Sequence, residues 1–233
     1  LFQDASFYRS LFRTFTYAIC LVPLIYAVSL GIAILLNSKH TKGKLLGKIV
    51  FFLPWTISGI VAGVIWKWLF GENFGFVNYI IGNLGGESVP WFSNASAAFS
   101  VILLAALWGG TAFNMLQFMS ALKNIPRSYY EAADIDGASS FQKFLYITLP
   151  SLKPTSFMVI LLASIGAMKE FALVQSLTNG GPGTANMFIV QYIYTTGFDK
   201  MKVGYASAAS MVLFAILLVL GLVQMKIGGG KNE

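Results

Sequence analysis

Three carboxylates fall within six positions of the stretch EAADIDGASSFQKFLYITLP (131–150): Glu131, Asp134 and Asp136. Acid–base or metal chemistry at such a cluster needs partners. The chain has one histidine, His40, and one cysteine, Cys20. His40 has no nucleophile partner, and one Cys with one His does not make a metal set. Cys20 lies inside an apolar run and reads as packing. No catalytic residue and no metal site is assigned. The same stretch fits a second use. Ser128–Glu131 and Ser139–Gln142 each have capping-box spacing. The first predicts a short helix to about Asp136, ended by Gly137 in the left-handed C′ position. The second predicts another helix that stops before Leu149–Pro150. Glu131 can serve only as a cap, and Asp134 and Asp136 only the helix dipole. Ala132, Ala133, Gly137 and Ala138, in contrast, would let another protein surface come close to the backbone. Spacing alone leaves both uses open.

The elements that must position this segment are apolar. The 233 residues are 56% hydrophobic and 11% charged, with mean hydropathy +0.70. Soluble domains carry about a quarter charged residues. A polytopic, all-α membrane protein follows. The net charge of +7 contains no Lys/Arg-rich run of the kind that tracks phosphates, so no nucleic-acid partner is expected.

Five segments are long and apolar enough to cross: about 14–36, 49–70, 96–122, 151–173 and 203–225. Pro23 and Pro54 fall inside two of them and predict kinks. Gly59 and Gly63 form a small-xxx-small pair suited to close helix contact. Ten of the sixteen basic residues lie on one side: Lys39, Lys42, Lys44, Lys48, Lys123, Arg127, Lys143, Lys153, Lys226 and Lys231. That side is expected to be cytoplasmic, with the C-terminus inside and Leu1 outside. An outside Leu1 predicts a further span before it, six in the full chain. The outer connections are then 71–95 and 174–202. GFVNYIIGNLGG predicts a short surface helix, Trp91 an interfacial anchor and NGGPG (179–183) a sharp turn.

The run EAADIDGA followed by Ile147, Leu149 and Pro150 resembles the EAA signature of permease subunits of binding-protein-dependent ABC importers. Glu131, Ala132, Ala133, Gly137, Ile147, Leu149 and Pro150 match it. The Asp136-Gly137-Ala138 form, LTNGGPGTA (177–185), IYTTGF (193–198) and GYASAAS (204–210) resemble the carbohydrate branch. The likeness runs from Phe7 to Lys226. It implies a coupling segment at 127–148 that docks on a cytoplasmic ATPase dimer, with Glu131, Ala132, Ala133, Asp136, Gly137, Ala138, Leu149 and Pro150 as coupling residues. It also implies an extracellular solute-binding protein, a second homologous permease subunit forming a heterodimer, lipid contact and an inner-membrane location. This chain has no GxxxxGK[ST] motif, so ATP and Mg would be bound by the partner ATPase, and no cofactor is expected in this chain.

A sugar path would need amides, hydroxyls and aromatic faces. Gly110, Asn114 and Gln117 share one helical face and could line the path or bond between helices. Lys169 and Glu170 stand about 27 Å along the fourth span. There Lys can snorkel, or the pair can sit at an outer mouth. A glycerol phosphate ester is the alternative solute, and it would call for cations in the path. A stand-alone carrier would want internal repeats and mid-depth acids, which are not seen.

Overall fold

The computed structural model describes residues 1–38 and 41–228. Lys39, His40 and Lys231 lie outside the described residues. Within those bounds the chain is all-α. Its helices are α1 (Ala5–Asn37), α2 (Lys44–Phe52), α3 (Gly59–Leu69), α4 (Phe76–Asn83), α5 (Ala95–Lys123), α6 (Arg127–Ile135), α7 (Ser140–Lys143), α8 (Leu149–Ser151), α9 (Lys153–Met168), α10 (Ala172–Leu177), α11 (Ile189–Tyr194) and α12 (Val203–Gly228). Leu53–Thr56 is a 3₁₀ turn; Phe144–Thr148 and Thr195–Asp199 are π turns.

Helix α1 is the spine and packs along α5 and α9. Phe7, Ser10, Thr14, Tyr17, Leu21, Ile25 and Ser29 recur at helical spacing and are buried. Two hydroxyls on this face bond back to the helix backbone, since hydrocarbon supplies no partner. Ser10 donates to the Phe7 carbonyl at 2.8 Å, and Thr14 to the Ser10 carbonyl at 2.7 Å. The opposite face presents Phe12 and Ile19, both exposed to the surroundings of the chain. Helix α12 is apolar all round with little of it buried, as a lipid-facing span would be.

Among the described residues α1, α5 and α12 are each long and apolar enough to cross a membrane. The second and fourth expected spans are not single straight helices. The segments 44–56 and 59–69 meet at 104°, and 140–151 and 153–168 meet at 67°. The physical reason for the first break is local. Pro54 cannot donate an N–H, Ile57 and Ser58 are extended, and Ser58 recaps α3 by accepting the Val61 N–H at 3.4 Å. The segment expected to run helically through 151–173 stops at Met168. The chain breaks at 169–171 and restarts as α10. Pro23, in contrast, sits inside α1 without ending it.

The two restarts pack on each other. Gly59 faces Ala172, and Gly63 faces Leu173 and Ser176. A Cβ on Gly63 would overlap Ser176 Oγ and come within 3.0 Å of the Leu173 carbonyl oxygen. The small-xxx-small spacing therefore marks a real close approach of α3 and α10.

The 71–93 connection is built around Asn78. Its Oδ1 accepts the Val89 N–H at 3.1 Å and the Trp91 indole N–H at 2.9 Å. Its Nδ2 reaches the Glu72 carbonyl, Ser88 Oγ and the Val89 carbonyl at 2.8–3.0 Å. Glu72 in turn accepts the Phe92 and Ser93 N–H groups at 2.7 and 2.6 Å and the Ser93 hydroxyl at 2.8 Å. The Ser93 hydroxyl, then the two backbone donors, hold this carboxyl below its ordinary range. Trp91, expected at the membrane interface, is half-buried and packs edge-on against Phe70. The expected surface helix is α4. The 179–183 turn uses positive φ at Asn179, Gly180 and Gly183. Asn186 locks it down: its amide donates to Ala95 and Gly181 carbonyls, and Arg13 donates to its Oδ1 at 2.7 and 3.0 Å.

Two outcomes are expected. Gly63→Val should cost about 1–3 kcal/mol by overpacking and lower the thermal midpoint in detergent, whereas Gly31→Ala, with open space around it, should not. Asn78→Ala strips five contacts from one loop; hydrogen exchange should accelerate across 72–93 and stay unchanged in α5.

Candidate functional site

At the C-terminal end of α5 the chain turns into an elbow. Helix α6 begins at Arg127, one residue before Ser128, because Pro126 adopts the extended N-cap conformation. The capping box expected at Ser128–Glu131 is therefore absent, and Glu131 makes no cap bond. The end of α6 follows expectation. Gly137 has φ 73°, its N–H bonds the Asp134 carbonyl at 3.2 Å, and the Ala138 N–H bonds the Ala133 carbonyl at 2.9 Å. This is a Schellman closure. The second box is present: Ser139 Oγ accepts the Gln142 N–H at 3.3 Å, and Gln142 Oε1 accepts the Ser139 N–H at 2.8 Å.

Two cross-links stiffen the elbow. Asp134 pairs with Lys143, joining α6 to α7. The Tyr130 and Thr148 hydroxyls bond at 2.9 Å, joining α6 to the π turn before α8. Tyr130, Phe144, Ile147 and Leu149 pack against the buried cluster of Leu30, Leu36, Phe118, Leu122 and Leu152, so the elbow rests on α1, α5 and α9. Its outer surface is free. Glu131, Ala132, Asp136 and Gly137 are exposed, and Ala133 and Ala138 are half-buried. Ile135 is 87% exposed and Phe141 68%, and a Cβ on Gly137 would meet nothing within 4 Å. Pro150 is exposed beside Tyr26, Lys153 and Ser156.

A cavity of about 380 Å³ lies among α1, α3, α5 and α9. Both helix breaks border it: Pro54, Trp55 and Ile57 on one side, Gly166, Ala167 and Glu170 on the other. Trp55 and Phe113 stack on its wall with ring centroids 5.6 Å apart and planes 15° apart. Gly110 and Asn114 line it. The Asn114 amide nitrogen donates to the Gly110 carbonyl at 2.8 Å. Glu170 lines it too, and its Oε1 accepts the Leu173 N–H at 3.1 Å, recapping the chain after the break. Tyr17 is buried at the cavity wall, and its hydroxyl has no hydrogen-bond partner.

The structure thus separates residues that the sequence grouped. Gly110 and Asn114 border the cavity, whereas Gln117 does not; its Nε2 is buried without a partner. Glu170 borders the cavity, whereas Lys169 is exposed and outside its lining. Sequence reasoning missed Tyr17, Trp55 and Phe113. Trp55 had one signal, its place directly after Pro54. Tyr17 had none beyond a hydroxyl in an apolar run. Among the described residues no group of three or more His, Cys, Asp or Glu is placed to hold a metal.

Residues 5–226 match the family model of the binding-protein-dependent transport system inner membrane component. The chain is 36% identical to the arabinooligosaccharides transport system permease protein AraP of Bacillus subtilis, over 99% of this chain and 75% of that protein. It is 33% identical to the trehalose/maltose transport system permease protein MalF of Thermococcus litoralis, over 98% of this chain and 77% of that protein. The fold superposes on a chain of a bacterial ABC transporter that imports the acidic polysaccharide alginate. The TM-score is 0.92 at 22% identity, covering all of this chain and 82% of that one. A stiff elbow, a cavity between broken helices and a family match across nearly its whole length place this multi-pass membrane chain among the inner-membrane permeases of binding-protein-dependent ABC importers.

Proposed function

We propose that this chain forms the translocation pathway for a sugar or oligosaccharide in an ATP-driven importer. An extracellular binding protein delivers the solute, a second homologous permease completes the pore, and a cytoplasmic ATPase dimer holding ATP and Mg drives it. The elbow at 127–150 and the C-terminus are cytoplasmic in this arrangement. The observation that carries the reading is the lining of the cavity. It offers stacked aromatic rings, an amide at Asn114, a phenol at Tyr17 and small residues, and no Lys or Arg. Hydroxyl-rich, neutral solutes are bound by such surfaces, because amides and hydroxyls can replace their water hydrogen bonds and rings cover their apolar faces. The sugar-transport names of the relatives support the same class. A glycerol phosphate ester, which would call for cations in the path, fits less well, since no Lys or Arg lines the cavity and Lys169 lies outside it.

Coupling rests on Glu131, Ala132, Ala133, Asp136, Gly137, Ala138, Leu149 and Pro150. The exposed small and apolar surface of α6 and α7 suits a cleft on the ATPase. The cross-links through Asp134–Lys143 and Tyr130–Thr148 would carry displacement of that surface to α9. ATP-driven closure would then move α9 against α1 and α5 and open the cavity alternately to each side.

Gly137→Asp adds a side chain at φ 73° and another carboxylate on the docking face. The protein should insert normally, while ATP-dependent uptake of oligosaccharides in whole cells should be abolished; wild-type uptake would remove the docking role. Asn114→Leu should lower uptake about 3–10-fold, the worth of one net hydrogen bond, with unchanged co-purification of the ATPase. Unaltered uptake kinetics would take Asn114 out of the pathway.

A further inference from the structure

Resting on the pathway reading above, we propose that the cavity rejects anionic saccharides and that Glu170 is the residue that sets this charge preference. Relatives of this chain differ in the charge of what they carry: one structural neighbour imports an acidic polysaccharide, one curated relative bears the name of the sulfonated sugar glycoside sulfoquinovosyl glycerol, and others bear the names of neutral sugars. Within this chain the decision falls to the groups that face the cavity. Glu170 is the one ionisable acid among them, and no cation accompanies it. Its neighbour Lys169 is exposed and lies outside the lining. The carboxylate is held in place, since Oε1 accepts the Leu173 N–H at the restart of the helix. A uronate entering this space would shed water, meet no positive charge and approach a fixed negative group. Two carboxylates a few ångströms apart in a partly desolvated site disfavour each other by one to two orders of magnitude in occupancy.

The same carboxylate serves a neutral sugar. It accepts hydrogen bonds from ligand hydroxyls, and charge-assisted bonds of this kind are stronger than neutral ones. Tyr17 completes the pair. Its hydroxyl is buried at the cavity wall without a partner. A buried unsatisfied hydroxyl is costly. Glu170, just past the end of α9, and Tyr17, on α1, both border this one cavity.

The test uses the full chain with its partner permease and ATPase in lipid nanodiscs, and measures retention of labelled trisaccharides by equilibrium dialysis. The neutral probes are maltotriose and arabinotriose; the anionic probe is trigalacturonate. The wild type should retain a neutral trisaccharide at least tenfold better than trigalacturonate. Glu170→Gln keeps an oxygen for the Leu173 N–H and removes the charge. It should narrow the gap about tenfold while neutral binding changes less than about threefold. Ala163→Lys, which places a cation on the cavity wall with Glu170 intact, should raise trigalacturonate retention as well, and decides the matter where Glu170→Gln does not assemble. Equal retention of both classes by the wild type, or an unchanged preference in the variants, would overturn the charge preference and leave the pathway standing. Retention of no trisaccharide by any of these proteins would overturn the pathway itself.

Discussion

Hydrocarbon offers no partner to a backbone N–H or C=O, and the architecture follows from how this chain handles that constraint. Long helices α1, α5 and α12 satisfy it internally. The chain nevertheless interrupts two other segments, after Phe52 and after Met168. Irregular backbone at such depth survives only where protein or a cavity covers it. Here the two interruptions border one cavity and their restarts, α3 and α10, are pressed together. Gly59 and Gly63 make this possible, because any side chain there would hold the two helices apart. Each restart is capped by a side chain at the break: Ser58 for α3 and Glu170 for α10. The cost of breaking two helices is thereby confined to one polar-edged pocket.

The second organising feature is stiffness at the far end of the bundle. Under the proposed coupling role, this segment must not absorb force by bending. Residues 126–151 combine a Schellman closure, a capping box, an ion pair and a hydroxyl–hydroxyl bond within a short length. The exposed Asp134–Lys143 pair contributes little stability alone. Its value here is geometric, since it fixes the angle between α6 and α7. Apolar side chains anchor one face of the elbow to α1, α5 and α9, while the other face carries Ile135 and Phe141 uncovered.

Helix α9 joins the pocket to the elbow. Its N-terminal end is joined to the elbow through α8, and its C-terminal end reaches Gly166, Ala167 and the break at Glu170. Its 16 residues span about 24 Å. The opposite end of the bundle is tied by different bonds. Arg13, Asn186 and Ala95 link α1, the 179–187 turn and α5, and Asp4 accepts the Tyr192 hydroxyl at 2.7 Å. The two ends of the bundle are thus cross-linked by different sets of bonds, with the long helices running between them.

What the sequence determined by itself is whatever depends on neighbours along the chain. Apolar run length dictated a multi-span helical membrane protein. Gly137 and the Ser139–Gln142 box were readable because caps are satisfied within four residues. The turn at 179–183 was readable for the same reason. Even so, two adjacent start signals, Pro126 and Ser128, could not be ranked, since the extended residue that begins a helix depends on how the preceding chain arrives. Tertiary structure alone decided which polar residues meet. Asn114 and Gln117 occupy one helical stripe, yet one borders the cavity and the other does not; Lys169 and Glu170 are neighbours at a helix break, yet only Glu170 lines the cavity. Tyr17 became a site residue only when α1 was laid against α5 and α9. Burial and orientation in a bundle are set by contacts between segments remote in sequence, and hydropathy, which averages over a segment, carries no record of them.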